Sequence, residues 1–211
     1  MKLPNDCYRL YAVTGRVGQE GVAALLRKVE AAVRGGVRIV QLREKHLDPA
    51  AFLAEARDFT ALCRRLGAVS IINDCPEIAL EAEADGVHVG QSDLEAGRVR
   101  QLLGPDKLLG VSAHSPEEAR RALEAGADYL GAGAAFATGT KSDAKPITRE
   151  TLRAITAAVD LPVVAIGGVN PDNILELKGL GLAGAAVVSG IFGRPDPEAA
   201  ARQLLALAEQ L

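Results

Sequence analysis

Asp74 and Asp93 lie in one stretch, IINDCPEIALEAEADGVHVGQSD, residues 71–93. Each follows a short apolar run, residues 69–72 and 86–89, with a helix-like segment over 77–83 between them. Such runs read as strands, so each carboxylate sits just past a strand's C-terminal end. In a parallel sheet or barrel, neighbouring strands end on one face. Two carboxylates there repel each other unless a cation lies between them. Mg²⁺, held by one or two carboxylates and completed by substrate phosphate oxygens, answers that need. Taken singly, either residue reads as a helix N-cap, a position that favours Asp. Taken as a pair, they read as metal ligands.

Cationic and hydrogen-bonding groups gather at the ends of other strand-like runs. Gln41-Leu42-Arg43-Glu44-Lys45 ends the run 37–42. Alternation sends Gln41, Arg43 and Lys45 one way and Leu42 and Glu44 the other. Arg binds a phosphate in bidentate fashion and Lys acts as a point charge. A solvated surface run is the alternative, weakened because the segment continues directly from a buried strand. Asn73 adds an amide beside Asp74, and Ser112 adds a hydroxyl after the run 108–111. The segment Ala137-Thr138-Gly139-Thr140-Lys141 has the hydroxyls, flexible glycine and cation of an anion-cradling loop, or of an ordinary mobile one. Gly167-Gly168 and Val188-Ser189-Gly190 follow the last two strand-like runs, where barrels bind monophosphates through backbone amides.

Among the histidines, His88 lies mid-strand and reads as a satisfied buried residue, His46 as solvent-facing, and His114 as a residue near the mouth with no role fixed without geometry. Cys7, Cys63 and Cys75 are far apart and odd in number, which fits neither a disulfide frame nor a zinc site. Two phosphate-binding clusters imply two phosphorylated ligands. The richer one, with Arg43, Lys45, Asn73, Lys141 and the metal pair, suits a diphosphate. Together they suit a substitution in which diphosphate leaves.

The elements that must position these residues alternate along the chain. Strands are expected over 8–13, 37–42, 69–72, 86–89, 108–111, 129–131, 163–166 and 185–188. Helices are expected over 20–34, 48–66 (Asp48 as cap, Pro49 at the first position), 77–83, 94–103, from Ser115-Pro116 onward, 148–159, 170–177 and 196–210. Eight such units in 211 residues predict an α/β fold, a single-domain (β/α)₈ TIM barrel spanning residues 1–211. The apolar strands PVVAIGG and AAVVSG suit a sheet buried on both faces. Chemistry is then expected in the loops after the strands, where every polar residue named above falls.

Bulk composition agrees. Hydrophobic residues make up 48%, enough for a full core. Aromatics at 3% and a net charge of −3 argue against a nucleic-acid partner. No run approaches a membrane span, and MKLPNDCYRL lacks the apolar region of a signal peptide, so a cytoplasmic location is the default expectation. A homo-oligomer is compatible with the sequence.

In order along the chain, QLREK, IND, ADGVHVGQSD, GVSAH, the TGTK loop, VVAIGG and AVVSG resemble thiamine phosphate synthase. The similarity covers nearly the whole chain, and the set is specific where no single motif would be. It implies a transferase that joins 4-amino-2-methyl-5-(diphosphooxymethyl)pyrimidine to 4-methyl-5-(2-phosphooxyethyl)thiazole. Diphosphate is released, and the C–O bond breaks before the thiazole nitrogen attacks. Carried over residue by residue, Asp74 and Asp93 would hold Mg²⁺. Gln41 to Lys45 (Gln41, Leu42, Arg43, Glu44, Lys45), Asn73, Ser112 and Lys141 would bind the pyrimidine diphosphate, with Arg43, Lys45, Ser112 and Lys141 catalytic. Thr138, Gly139, Thr140 and Gly168 would contact the thiazole, and Val188 and Ser189 its phosphate. Two departures bear on the rigidity of the loop over 133–145, the candidate lid. Ala134 stands where members of the family often have Pro, and Ala137 does so too. The nearest rival is a thiazole tautomerase-like isomerase using His114, ranked second because Asp93 is present. A non-catalytic phosphate-ligand sensor stands third.

Overall fold

Every strand-forming run is four to six residues long and apolar, and each is followed by a segment of helical period, so the strands must run parallel and bury both faces. The computed structural model describes residues 2–15, 21–91, 95–137 and 146–211. Eight parallel strands close into a barrel in sequence order: β1 Leu10–Val13, β2 Ile39–Leu42, β3 Val69–Asn73, β4 Gly86–Val89, β5 Leu108–Ala113, β6 Tyr129–Gly133, β7 Val163–Ile166 and β8 Gly184–Val187. β8 pairs back onto β1 with Ala186 opposite Tyr11. The helices are α1 Gly21–Arg34, α2 Pro49–Leu66, α3 Pro76–Glu81, α4 Ala96–Leu103, α5 Pro116–Glu124, α6 Arg149–Ala157, α7 Ser189–Phe192 and α8 Pro197–Ala208. The fold is the expected (β/α)₈ barrel.

Local chemistry sets the helix ends. Asp48 caps α2 by accepting from the amides of Ala50 and Ala51, and Gly67 ends it with φ +69°. Ser115 caps α5 through the amide of Glu118. The helix expected over 170–177 is instead a 3₁₀ turn, Ile174–Leu177. The segment 189–192, which no expected element covers, forms α7.

Side-chain alternation divides the core in two. Val40, Leu42, Ile72, Val87, Val89 and Leu130 pack outward against the helices. Tyr8, Tyr11, Ile39, Ile71, Leu108, Tyr129 and Val164 fill the barrel itself. Further up the same inward-facing rows come Gln41, Asn73, His88 and Ser112, so the barrel interior turns polar towards the strands' C-terminal ends.

Candidate active site

The strand ends enclose a pocket whose lining includes Gln41 and Arg43 of the β2 segment, Asn73, His88 and Ser112, and, on the far side, Gly168, Val188 and Ser189. Seven residues expected from sequence (Gln41, Arg43, Asn73, Ser112, Gly168, Val188 and Ser189) therefore meet around one cavity, whose lining does not include Lys45 or Asp74.

The β2 segment is held from β1. Thr14, fully buried, donates its amide to the Gln41 carbonyl at 2.9 Å, and its Oγ1 accepts from the Arg43 amide at 2.9 Å. Arg43 is thus fixed at its backbone while its side chain reaches the cavity. Leu42 is fully buried in the outer layer, so its side chain is turned away from the mouth. Glu44 likewise lies on the α2 side, close enough to Glu55 to raise that residue's pKa.

Asp74 does not cap α3. Cys75 holds that position, without a side-chain capping bond. The Asp74 carboxylate instead accepts from the Asn73 amide at 2.5 Å and forms an ion pair with the Lys45 ammonium at 3.6 Å, both at Oδ2. Its side chain is 28% exposed, so the carboxylate is accessible from solvent. A hard oxygen donor in that position fits Mg²⁺, which needs few protein carboxylates and takes the rest of its shell from water and phosphate. Among the described residues no three His, Cys, Asp or Glu side chains gather as a denser metal cluster. Asp93 and the loop residues Thr138, Gly139, Thr140 and Lys141 lie outside the described residues.

On the far side, Gly167 and Gly168 have φ +99° and +68°. Any side chain on Gly167 would collide with Ala134, and one on Gly168 with Phe136 and the Ala137 carbonyl. Close approach and backbone conformation both require glycine there. The approach is tied by backbone bonds, Ala135 N–H to the Ile166 carbonyl at 2.8 Å and Phe136 N–H to the Gly167 carbonyl at 3.0 Å. The start of the loop is therefore pinned in spite of its two alanines. Ser189 and Gly190 open α7, whose first amides have no partner within the helix.

Sequence reasoning passed over several residues. His88 is buried and bonded, as expected, yet it also lines the pocket, with Nε2 at 3.1 Å from Ser112 Oγ. Its alternation in β4, inward between the outward Val87 and Val89, was the available signal. Thr14, Asn170 and Asn173 carry no such mark. His114 is exposed, and its Nδ1 lies 3.0 Å from Glu118 Oε2. The cysteines are free. Burial pushes the Cys63 thiol up to about 12, and burial followed by the nearby Glu77 and Asp74 carboxylates raises that of Cys75. Both stay protonated and weakly nucleophilic at neutral pH.

A family model described as thiamine monophosphate synthase matches residues 10–191. The chain belongs to that family. Like other members of the thiamine monophosphate synthase family, it is an enzyme, a transferase of thiamine biosynthesis. The thiamine-phosphate synthase of Moorella thermoacetica is 49% identical over 197 residues, 92% of this chain and 93% of that protein. That of Alkaliphilus oremlandii is 46% identical over 199 residues, covering 94% and 95%. Among solved structures, the thiamine phosphate pyrophosphorylase from Pyrococcus furiosus superposes with a TM-score of 0.87 at 34% identity, covering 97% of each chain.

Proposed function

We propose that this enzyme makes thiamine phosphate by joining 4-amino-2-methyl-5-(diphosphooxymethyl)pyrimidine to 4-methyl-5-(2-phosphooxyethyl)thiazole, with Mg²⁺, in the cytoplasm. The observation that carries the reading is the division of one pocket. Arg43 and Asn73 stand on one side, with Asp74 and its ion-pair partner Lys45 joined to Asn73, and a glycine turn with the opening of α7 stands on the other. The first side suits a diphosphate and the second a monophosphate.

The residues then have distinct tasks. Arg43, Lys45 and Lys141 stabilise the charge that builds on departing diphosphate, and Asn73 donates to it. Asp74, with Asp93, would hold Mg²⁺, which when bound would neutralise diphosphate oxygens. Gln41 and Ser112 hold the pyrimidine. Gly168, Val188 and Ser189 hold the thiazole phosphate and so aim the ring nitrogen at the methylene carbon. The electron-rich aminopyrimidine supports a cation at that carbon, so bond breaking leads and no protein nucleophile is needed.

The test is product formation from the two purified substrates, with Mg²⁺ and with a chelator. Thiamine phosphate is expected only with Mg²⁺. Equal turnover in chelator would remove the metal from the reading. No product in either condition, with isomerisation of a thiazole carboxylate phosphate instead, would replace the synthase with a tautomerase.

A further inference from the structure

Beneath the pocket floor runs a line of hydrogen bonds that the reaction as described does not use. Gln41 Nε2 donates to the Tyr11 hydroxyl at 2.8 Å. The Tyr11 and Tyr129 hydroxyls are 2.9 Å apart. Tyr129 Oη lies 3.1 Å from His88 Nδ1, and His88 Nε2 lies 3.1 Å from Ser112 Oγ. Both tyrosines are buried to 1% or less, and both ends of the line open into the pocket. The packing is made for it: a side chain on Gly110 would strike the Tyr129 ring and His88 Nδ1.

Counting protons gives the line a direction. Tyr11 accepts from Gln41, so its own proton goes to Tyr129, whose proton goes to His88 Nδ1. A neutral imidazole that accepts at Nδ1 carries its proton on Nε2 and donates to Ser112 Oγ. The Ser112 proton is left for the pocket, as is Gln41 Oε1. Reversing it requires the Gln41 amide, both phenols, the His88 tautomer and the Ser112 hydroxyl to turn together. A mixed state leaves a buried group facing two protons or none, and a hydrogen bond there is lost. Burial also raises both phenol pKa values, which keeps the hydroxyl protons in place.

We propose that Tyr11, Tyr129 and His88 are positioning residues that set substrate specificity, a directed chain fixing Gln41 as an acceptor and Ser112 as a donor. The pocket then takes a ring that offers a donor to Gln41 and an acceptor to Ser112, as an aminopyrimidine does through its amino group and a ring nitrogen. It refuses the oxo analogue, which puts an acceptor where the amino group was. The inference rests on the pyrimidine reading above.

The experiment measures dissociation constants of the aminopyrimidine diphosphate and its 4-oxo analogue, without the thiazole partner, for the wild type and for Tyr129→Phe and Tyr11→Phe. Cutting the chain frees each half to reverse alone. The amino-over-oxo preference should then fall at least about 10-fold, the value of roughly one hydrogen bond, mainly through tighter oxo binding. Affinity for the thiazole phosphate should not change. Equal weakening of both analogues would overturn the proposal, since a merely structural role predicts that. The His88 tautomer in the unliganded wild type, read by ¹⁵N NMR, tests the direction without any variant. A proton on Nε2 is expected, and one on Nδ1 would sink the idea. Failure of the wild type to form thiamine phosphate at all would overturn the substrate reading beneath it, and is seen separately.

Discussion

Asp74 has φ +62°, in the left-handed region. A residue with a side chain held there costs on the order of 1 kcal/mol, and such positions persist where the surroundings over-determine them. Its amide donates to the His88 carbonyl at 2.8 Å, so the backbone is held while the carboxylate is presented to Lys45 and Asn73. Asp74→Gly relieves the backbone and removes the carboxylate. Its melting temperature should be unchanged or a few degrees higher, while product formation falls at least about 100-fold. A thermal melt and the coupling assay on one preparation decide this; a parallel loss of both would place Asp74 in the scaffold. Alternation read from sequence put Gln41 and Arg43 on the pocket side and Leu42 away from it, because a strand's period of two is rigid. Tyr11 and Tyr129 could not be found that way. A tyrosine in a strand is what strand propensity alone would put there, and its hydroxyl's partners come from strands far off in the chain.

At the scale of elements, the turn after β7 shows what periodicity misses. Residues 170–177 have helical spacing, yet only Ile174–Leu177 winds, as a 3₁₀ turn. Asn170 and Asn173 each donate a side-chain amide to the Gly168 carbonyl, at 3.1 and 2.9 Å, and Asn173 Oδ1 accepts the Asn170 amide at 2.9 Å. Side chains that bond the backbone this way compete with the helix. They also clamp the turn proposed to hold the thiazole phosphate. Asn173→Ala should raise KM for the thiazole phosphate about 5- to 10-fold, the worth of one hydrogen bond, and leave KM for the pyrimidine diphosphate unchanged. Initial-rate kinetics varying each substrate in turn would show it; a rise in both constants would mean the turn is coupled to the whole pocket. By contrast, the limits of α2 were legible, because Asp48, Pro49 and Gly67 act through bonds within a few residues.

Across the whole molecule, chemistry and stability occupy opposite ends of the barrel. Asp85 and Asp128 precede β4 and β6, at the face away from the pocket. Asp85 Oδ2 accepts from the Ser70 amide and hydroxyl, both at 2.8 Å, and Asp128 Oδ2 accepts from the Leu109 amide at 2.8 Å and from Arg100. These carboxylates tie neighbouring strands together, while Asp74, proposed as a metal ligand, lies just past a strand's other end. Glu55 obeys neither rule. It sits on α2, facing the barrel and 3% exposed, and its Oε1 has no hydrogen-bond partner among the described residues. Burial first, then the Glu44 carboxylate, raises its pKa from 4.5 to about 7. The folded state therefore binds the proton more tightly than the unfolded chain between those values. Stability should fall as pH rises from about 4.5 to 7, by roughly 3 kcal/mol from this group. Glu55→Gln keeps the shape and removes the titration. Urea midpoints at pH 5 and pH 8 should differ less in the variant than in the wild type, with the variant more stable at pH 8. An unchanged difference between the two pH values would assign the dependence to other groups.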